Sequence, residues 1–246
     1  MNLVISPARI CAFTAAMSLL HVNAAWAAEA ALSGDLGIGA SWSQSQIRGE
    51  RERTSAMPYL DLEYGPAFAR VDTFGVKVLP VAYGHIEVVG QYRHDGYKAA
   101  NLGKRQDSLP FGMGTLQITP IGAFDVRVYH DFGKSAGTLW QARYLAELSL
   151  GRVTLYPEIG AEYQSRRYTR YYYGTTEADA ATLARNYQPG SAVNVFAGLL
   201  IDTRITQHWY THLYVRRTVV GDSVADSPLV RGKGRNTALL AAGYRF

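Results

Sequence analysis

The residues of this 246-residue chain that could do chemistry fall into three groups. Gly221-Asp222-Ser223 has the order of a hydrolase nucleophile block, in which a neighbouring histidine makes a serine hydroxyl reactive. It stands in a charged loop near the carboxyl end and no histidine follows it, so the simpler reading is a turn capped by Asp222 and Ser223. His94-Asp95 and His130-Asp131 fall at expected outer strand ends, where such pairs could serve a surface protease. Adjacent strand residues point to opposite faces, which separates the members of each pair. The six histidines include no HExxH. His208 and His212, read onto one face of a strand, would lie about 13 Å apart, too far to share a metal. The reading therefore assigns no catalytic residue, no metal and no cofactor.

The third group is a set of charges at alternating positions: Asp61, Glu63, Glu87, Arg93, Asp125, Arg127, Arg143, Glu147, Glu158, Glu162, Asp202, Arg216 and Arg245. On strands of one closed wall they would all face the lumen. Carboxylates outnumber arginines among them, which would give a water-filled pore a weak cation preference. Cross-paired, the same residues would lock and plug the barrel, and this second reading is preferred.

For those charges to converge, the chain must be a wall of strands. Near the carboxyl end, Ala238, Leu240, Ala242, Tyr244 and Phe246 share one face, and Leu239, Ala241, Gly243 and Arg245 share the other. The first face is wholly apolar; the second is small, apolar or charged. A strand ending in Tyr-x-Phe looks like the closing strand of a bacterial outer-membrane barrel, with Tyr244 and Phe246 as the signal read by the barrel assembly machinery. Alternation recurs at residues 35–43, 58–64, 86–93, 114–119, 124–131, 138–150, 153–164, 193–203 and 209–218. Phe68 to Leu79 reads as two short strands split by Thr73-Phe74-Gly75. The spacing predicts an all-β, transmembrane, antiparallel up-and-down barrel of about twelve strands, with ten as the fallback. Twelve puts the loops near 44–57, 94–110, 165–190 and 221–235 outside and the tight turns on the periplasmic side. Within the longest loop, Glu177 to Arg185 suits one or two helical turns.

Residues 1–27 carry a basic start, an apolar run from Ile10 to Leu20 and the small-residue site Ala25-Trp26-Ala27. That is a secretory signal peptide with cleavage expected before Ala28, leaving residues 28–246 as one barrel domain. It takes Cys11 with it, so the mature chain needs no disulfide. Seventeen tyrosines and 24 glycines suit an apolar lipid face around a wet interior. The formal charge of +5 excludes little alone, but nucleic acid is a poor partner for an exported chain. The basic residues cluster in loops, facing lipopolysaccharide or simply solvated.

Four stretches together resemble the MltA-interacting protein / OmpV family of outer-membrane proteins: Gly37-Ile38-Gly39, Pro58 to Gly65, Tyr172-Tyr173-Gly174, and Asp226-Ser227-Pro228-Leu229-Val230 ahead of Gly243-Tyr244-Arg245-Phe246. Ser43 to Gly49 departs from the family's Ser-Pro-x-Tyr-x-Gly stretch in lacking the Pro and the Tyr. The resemblance implies a non-enzymatic protein of the Gram-negative outer membrane. It also implies a scaffold for murein synthesis that tethers a lytic transglycosylase and a penicillin-binding synthase. A small porin and a surface adhesin are the alternative roles.

Overall fold

The computed structural model describes residues 31–99 and 101–246. The expected signal peptide, with Cys11 and the Ala28 cleavage point, lies outside the described residues. The β segments in chain order are β1 (Leu32–Ser43), β2 (Arg53–Tyr64), β3 (Ala67–Arg70), β4 (Thr73–Val81), β5 (Gly84–Gln91), β6 (Phe111–Thr119) and β7 (Gly122–His130). They continue with β8 (Thr138–Leu145), β9 (Leu148–Leu150), β10 (Val153–Gln164), β11 (Ala192–Arg204), β12 (Trp209–Val219) and β13 (Gly234–Arg245). β8 and β9 keep one register against β10, with Leu145 facing Glu158 and Leu148 facing Leu155. They are one strand interrupted at Ala146-Glu147, and the wall has twelve antiparallel strands.

Every strand pairs with its neighbour in sequence, and β13 returns to β1, from Arg245 opposite Asp35 to Thr237 opposite Ser43. A bilayer core offers backbone groups no hydrogen-bond partner, so a sheet that crosses it must close on itself. Side-chain alternation then divides the wall into two environments. Ile38, Trp140, Ile159 and Leu240 point outward and are exposed, Ile38 at 77%. Apolar exposure on that scale, all round a chain, suits lipid rather than water as the solvent.

The long connections lie at one end and, apart from the β3–β4 reversal, the tight turns at the other, as the loop lengths predict. The structure moves one boundary. Thr73-Phe74-Gly75 belong to β4, and the chain reverses earlier, at Val71-Asp72. Val71 takes φ 54° there. A β-branched residue in left-handed backbone is rare and carries no turn signature in sequence. β3 is consequently four residues long, well short of the roughly 9–11 that a tilted strand needs to cross. Its pairing with β2 runs only from Tyr64–Ala67 to Asp61–Arg70, plus Val71 N–H donating to the Leu60 carbonyl at 2.6 Å. Above Leu60, β2 has no strand on that flank among the described residues.

The larger cluster of buried apolar residues gathers at the outer cap, and a smaller one, Tyr59, Leu239 and Ala241, lies inside the barrel. α1 (Arg166–Tyr173), α2 (Glu177–Leu183) and α3 (Asp222–Ala225) sit in the outer loops. α1 places Tyr168 and Tyr172, one turn apart, against Ile47, Leu139, Val224, Leu229 and Val230 in one cluster. α2 is the helix expected near Glu177. α1 was not expected, because RRYTRYYY offers no aliphatic stripe to signal it.

Gly37 makes the closing seam testable. A Cβ there would fall 2.0 Å from the Ala242 carbonyl oxygen on β13. Gly37→Ala is expected to force the β1–β13 seam apart and to lower the yield of closed barrel. The measurement is heat-modifiable mobility in gels, against Gly232→Ala, whose added methyl meets nothing within 4 Å.

Candidate functional site

Nine side chains from eight strands form a relay of alternating charge across the lumen. Lys77 meets Glu63 at 2.6 Å, Glu63 meets Arg70 at 2.7 Å, and Arg70 meets Glu87 at 3.1 Å. Glu87 meets Arg127 at 3.4 Å, and Arg127 meets Asp125 at 2.7 Å. Asp125 meets Arg143 at 2.6 Å, Arg143 reaches Glu158 at 4.0 Å, and Glu158 reaches Arg216 at 3.9 Å. Arg216 also covers the Phe196 ring at 3.4 Å, and the Tyr214 hydroxyl donates to Glu158. Charges withdrawn from water carry a desolvation cost of several kcal/mol each, which such neighbours offset.

A second cluster lies toward the inner end. Arg245 clamps Asp35 with two bonds of 2.6 Å and reaches Asp202 at 3.0 Å. His212 lies 3.4 Å from Asp35 and stacks on Tyr59, with ring centroids 4.5 Å apart. Asp61 stands opposite Asp35 and Arg70, half-buried. Arg70, Lys77, Asp35 and His212 were missed in sequence. Arg70 and Lys77 flank the misplaced β3–β4 turn, which confused their parity; with them the lumen loses much of its expected acidic excess. Glu147 stands apart, exposed in the β8–β9 break beside Ser149 and outside the relay.

The third cluster joins barrel to cap. Arg93, just beyond β5, donates to both Glu162 oxygens at 2.7 and 2.9 Å, to Asp95 at 2.9 Å and to the Tyr168 hydroxyl of α1 at 3.0 Å. Tyr168 in turn donates to Asp95 at 2.6 Å, and Arg235 reaches Asp95 at 3.4 Å. Gln141 and Gln164 complete the Glu162 carboxylate at 2.5 and 2.7 Å. Burial would raise the Asp95 carboxyl, but Arg93 and Arg235 outweigh it and hold Asp95 well below the usual carboxylate range. Burial would lower Arg93, and Asp95 and Glu162 outweigh that in the other direction. In the cap, Asp179 accepts from the Gly103 and Thr176 amides at 2.6 and 2.9 Å. These bonds outweigh burial and keep it ionised. Burial pushes the Tyr97 phenol up to about 12.

The residues that could have done hydrolysis are engaged elsewhere. Gly221-Asp222-Ser223 opens α3, where Asp222 pairs with Lys233 at 2.6 Å and the Ser223 carbonyl accepts from Tyr187. The Asp131 carboxylate staples its own loop, accepting from the Gly133, Lys134 and Ser135 amides. His130 contacts Thr138 at 3.3 Å. His94 lies 3.7 Å from Asp107, while Asp95 faces Arg93. His208 lies in the turn before β12 rather than on a strand with His212, and its ring stacks on Tyr244. Tyr244 also meets Trp209 and Phe246 at 5.7 and 5.4 Å, an aromatic group at the inner rim.

A lipid-facing closed wall, a charged lumen and a folded outer cap define an outer-membrane β-barrel protein. The chain belongs to the family described as MltA-interacting protein MipA, whose profile matches residues 36–246. It is 21% identical to the outer membrane protein YiaT of Escherichia coli (strain K12) over 221 residues, 86% of this chain and 90% of that protein. It is 25% identical to the MltA-interacting protein of the same strain over 154 residues, 61% of each. Among solved structures, the translocator domain of the autotransporter NalP from Neisseria meningitidis is similar over 96% of each chain, at 13% identity and a TM-score of 0.39. Two stretches that carried the family resemblance touch: Ser227 Oγ donates to the Tyr173 carbonyl at 2.7 Å.

Asp95 gives a pH test of cap docking. A carboxylate held low when folded stabilises fully above its unfolded pKa of about 4 and loses that contribution as pH falls further. Hydrogen exchange of α1 amides, corrected for intrinsic rates, is expected to stay constant from pH 7 to about 4 and to rise below it. Arg93→Met leaves Asp95 and Glu162 short of their main cation, and is expected to weaken docking at pH 7 by about 3–5 kcal/mol.

Proposed function

We propose that this protein is a non-enzymatic scaffold that holds cell-wall enzymes, a lytic transglycosylase and a penicillin-binding synthase, at the inner face of the outer membrane. The observation that carries the reading is the lumen. Nine charges pair across it and α1 seals its outer end, so the wall suits a rigid platform better than a conduit. Membership of a family described by its interaction with MltA supports the same reading. The carboxylates of the candidate hydrolytic groups are committed elsewhere, Asp222 to Lys233, Asp131 to its own loop and Asp95 to Arg93, which favours binding over catalysis.

A stable interface buries roughly 800 Å² on each partner, and the inner turns are short. The β4–β5 hairpin adds to that area. β3 ends its pairing at Ala67–Val76, so Val78 to Val81 run on past the Gly65-Pro66 turn. Leu79 and Tyr83 are 55% and 65% exposed there. This hairpin, with the rim around it, is the contact surface in this reading.

Affinity purification from cross-linked envelopes, read by mass spectrometry, tests the scaffold. Transglycosylase and synthase are expected to be enriched over an unrelated barrel, and Leu79→Glu with Tyr83→Glu to lower the yield severalfold while the barrel still folds. No enrichment overturns the proposal. Planar bilayers are expected to show no discrete conductance steps from the native protein, and steps in an Arg93→Ala, Arg143→Ala variant whose lumen has lost its locks. Steps from the native protein would favour the porin reading.

A further inference from the structure

We propose that a cavity opening through the barrel wall at the level of the outer leaflet binds a small single-chain amphiphile with an anionic, oxygen-rich head: a medium-chain carboxylate. The opening follows from the short β3–β4 hairpin. Leu60 turns its carbonyl toward Val71. By period-two alternation Pro58, Ala56 and Thr54 turn their backbone groups to the same flank, where no strand pairs with them. Pro58 brings no N–H to that unpaired edge, which is where a strand tolerates proline. Trp42, opposite Thr54 on β1, marks the outer aromatic level, so the gap below it faces lipid acyl chains. The sill is Val71-Asp72, and the far side is His94 to Gly96. Arg53 closes the top by donating to the Gly96 carbonyl at 2.9 Å.

Behind this gap lies a cavity of about 240 Å³. That is just under the roughly 300–1,000 Å³ of ordinary small-molecule sites, which suits one short chain and excludes a diacyl lipid. Met57, Tyr214, Tyr173 and Leu239 present an apolar side to a ligand's body. Two buried donors on the opposite side are unpartnered: Gln46 Nε2 and the Tyr97 hydroxyl, in residues 7% and 3% exposed. Both residues line the cavity. A buried donor left unpaired costs about 1–3 kcal/mol, and a ligand oxygen would relieve that. Arg51, Arg53 and Arg235 line it as well, matched in number by Glu50, Asp72 and Asp95. Within this set Glu50 pairs with Arg53 at 3.6 Å and Asp95 with Arg235 at 3.4 Å, so these charges largely cancel. The two unpartnered donors select the head, because carboxylate oxygens can accept from them and a quaternary ammonium cannot. The site stands apart from the scaffold proposal, at the opposite end of the barrel from the inner rim.

The test is titration calorimetry of the protein in phospholipid nanodiscs with decanoate, against empty nanodiscs and against decyltrimethylammonium. Decanoate is expected to bind saturably at one site. Tyr97→Phe is expected to weaken it about fivefold, the loss of one hydrogen bond. Met57→Trp fills the body of the cavity and is expected to abolish it. Heat-modifiable mobility shows that each variant still folds. Heats equal to those of empty nanodiscs overturn the proposal. So does undiminished binding by folded Met57→Trp, or equal binding of the cationic amphiphile.

Discussion

Every part of this molecule depends on one constraint: within lipid, each backbone donor and acceptor must find its partner in the protein. The β1–β13 seam meets it by closing the wall, and close backbone approach at Gly37 allows the closure. Once the ring is closed, side-chain alternation is no longer free. Apolar residues must face out, and whatever carries charge must face in. The relay from Lys77 to Arg216 is the result of that partition, made tolerable because each charge lies beside one of opposite sign.

Where the constraint relaxes, the structure changes character. Above the bilayer the loops can use water and one another, and there the protein builds its apolar core, from Tyr168, Tyr172, Leu229 and Val230. Arg93 and Glu162 sit at the boundary between the two regimes. They tie the end of β5 to β10 and, through Tyr168 and Asp95, to the cap. The barrel and its cover are therefore not separate modules. A change at the mouth of the lumen is felt in α1, and the reverse.

Most of the wall was legible in the sequence because period two is a strong signal when one side meets lipid and the other meets charge. Phe124 against Asp125 and Ile159 against Glu158 needed only counting. The β3–β4 turn was not legible, since Val71 in left-handed backbone has none of the residue types that mark turns. That error hid Arg70 and Lys77. α1 was missed for another reason: its stability comes from tyrosines packed against residues distant in the chain, Leu229 about 60 positions later and Ile47 about 120 earlier, and not from local propensity. His208 and His212 were read onto one strand, although β12 begins at Trp209, one residue past His208. The touching of Tyr173 and Ser227 could not be read from spacing, although both stretches were singled out.

The alternating relay has a consequence for how the barrel comes together. A slip of one residue in any strand turns its inward set outward. Here that would put an arginine or a carboxylate into hydrocarbon and strip its neighbours of their counter-ions. Each carboxylate in the relay is shared between cations on two different strands, so one misplacement is registered twice. The charges that fill the lumen thus favour the correct register over its near misses.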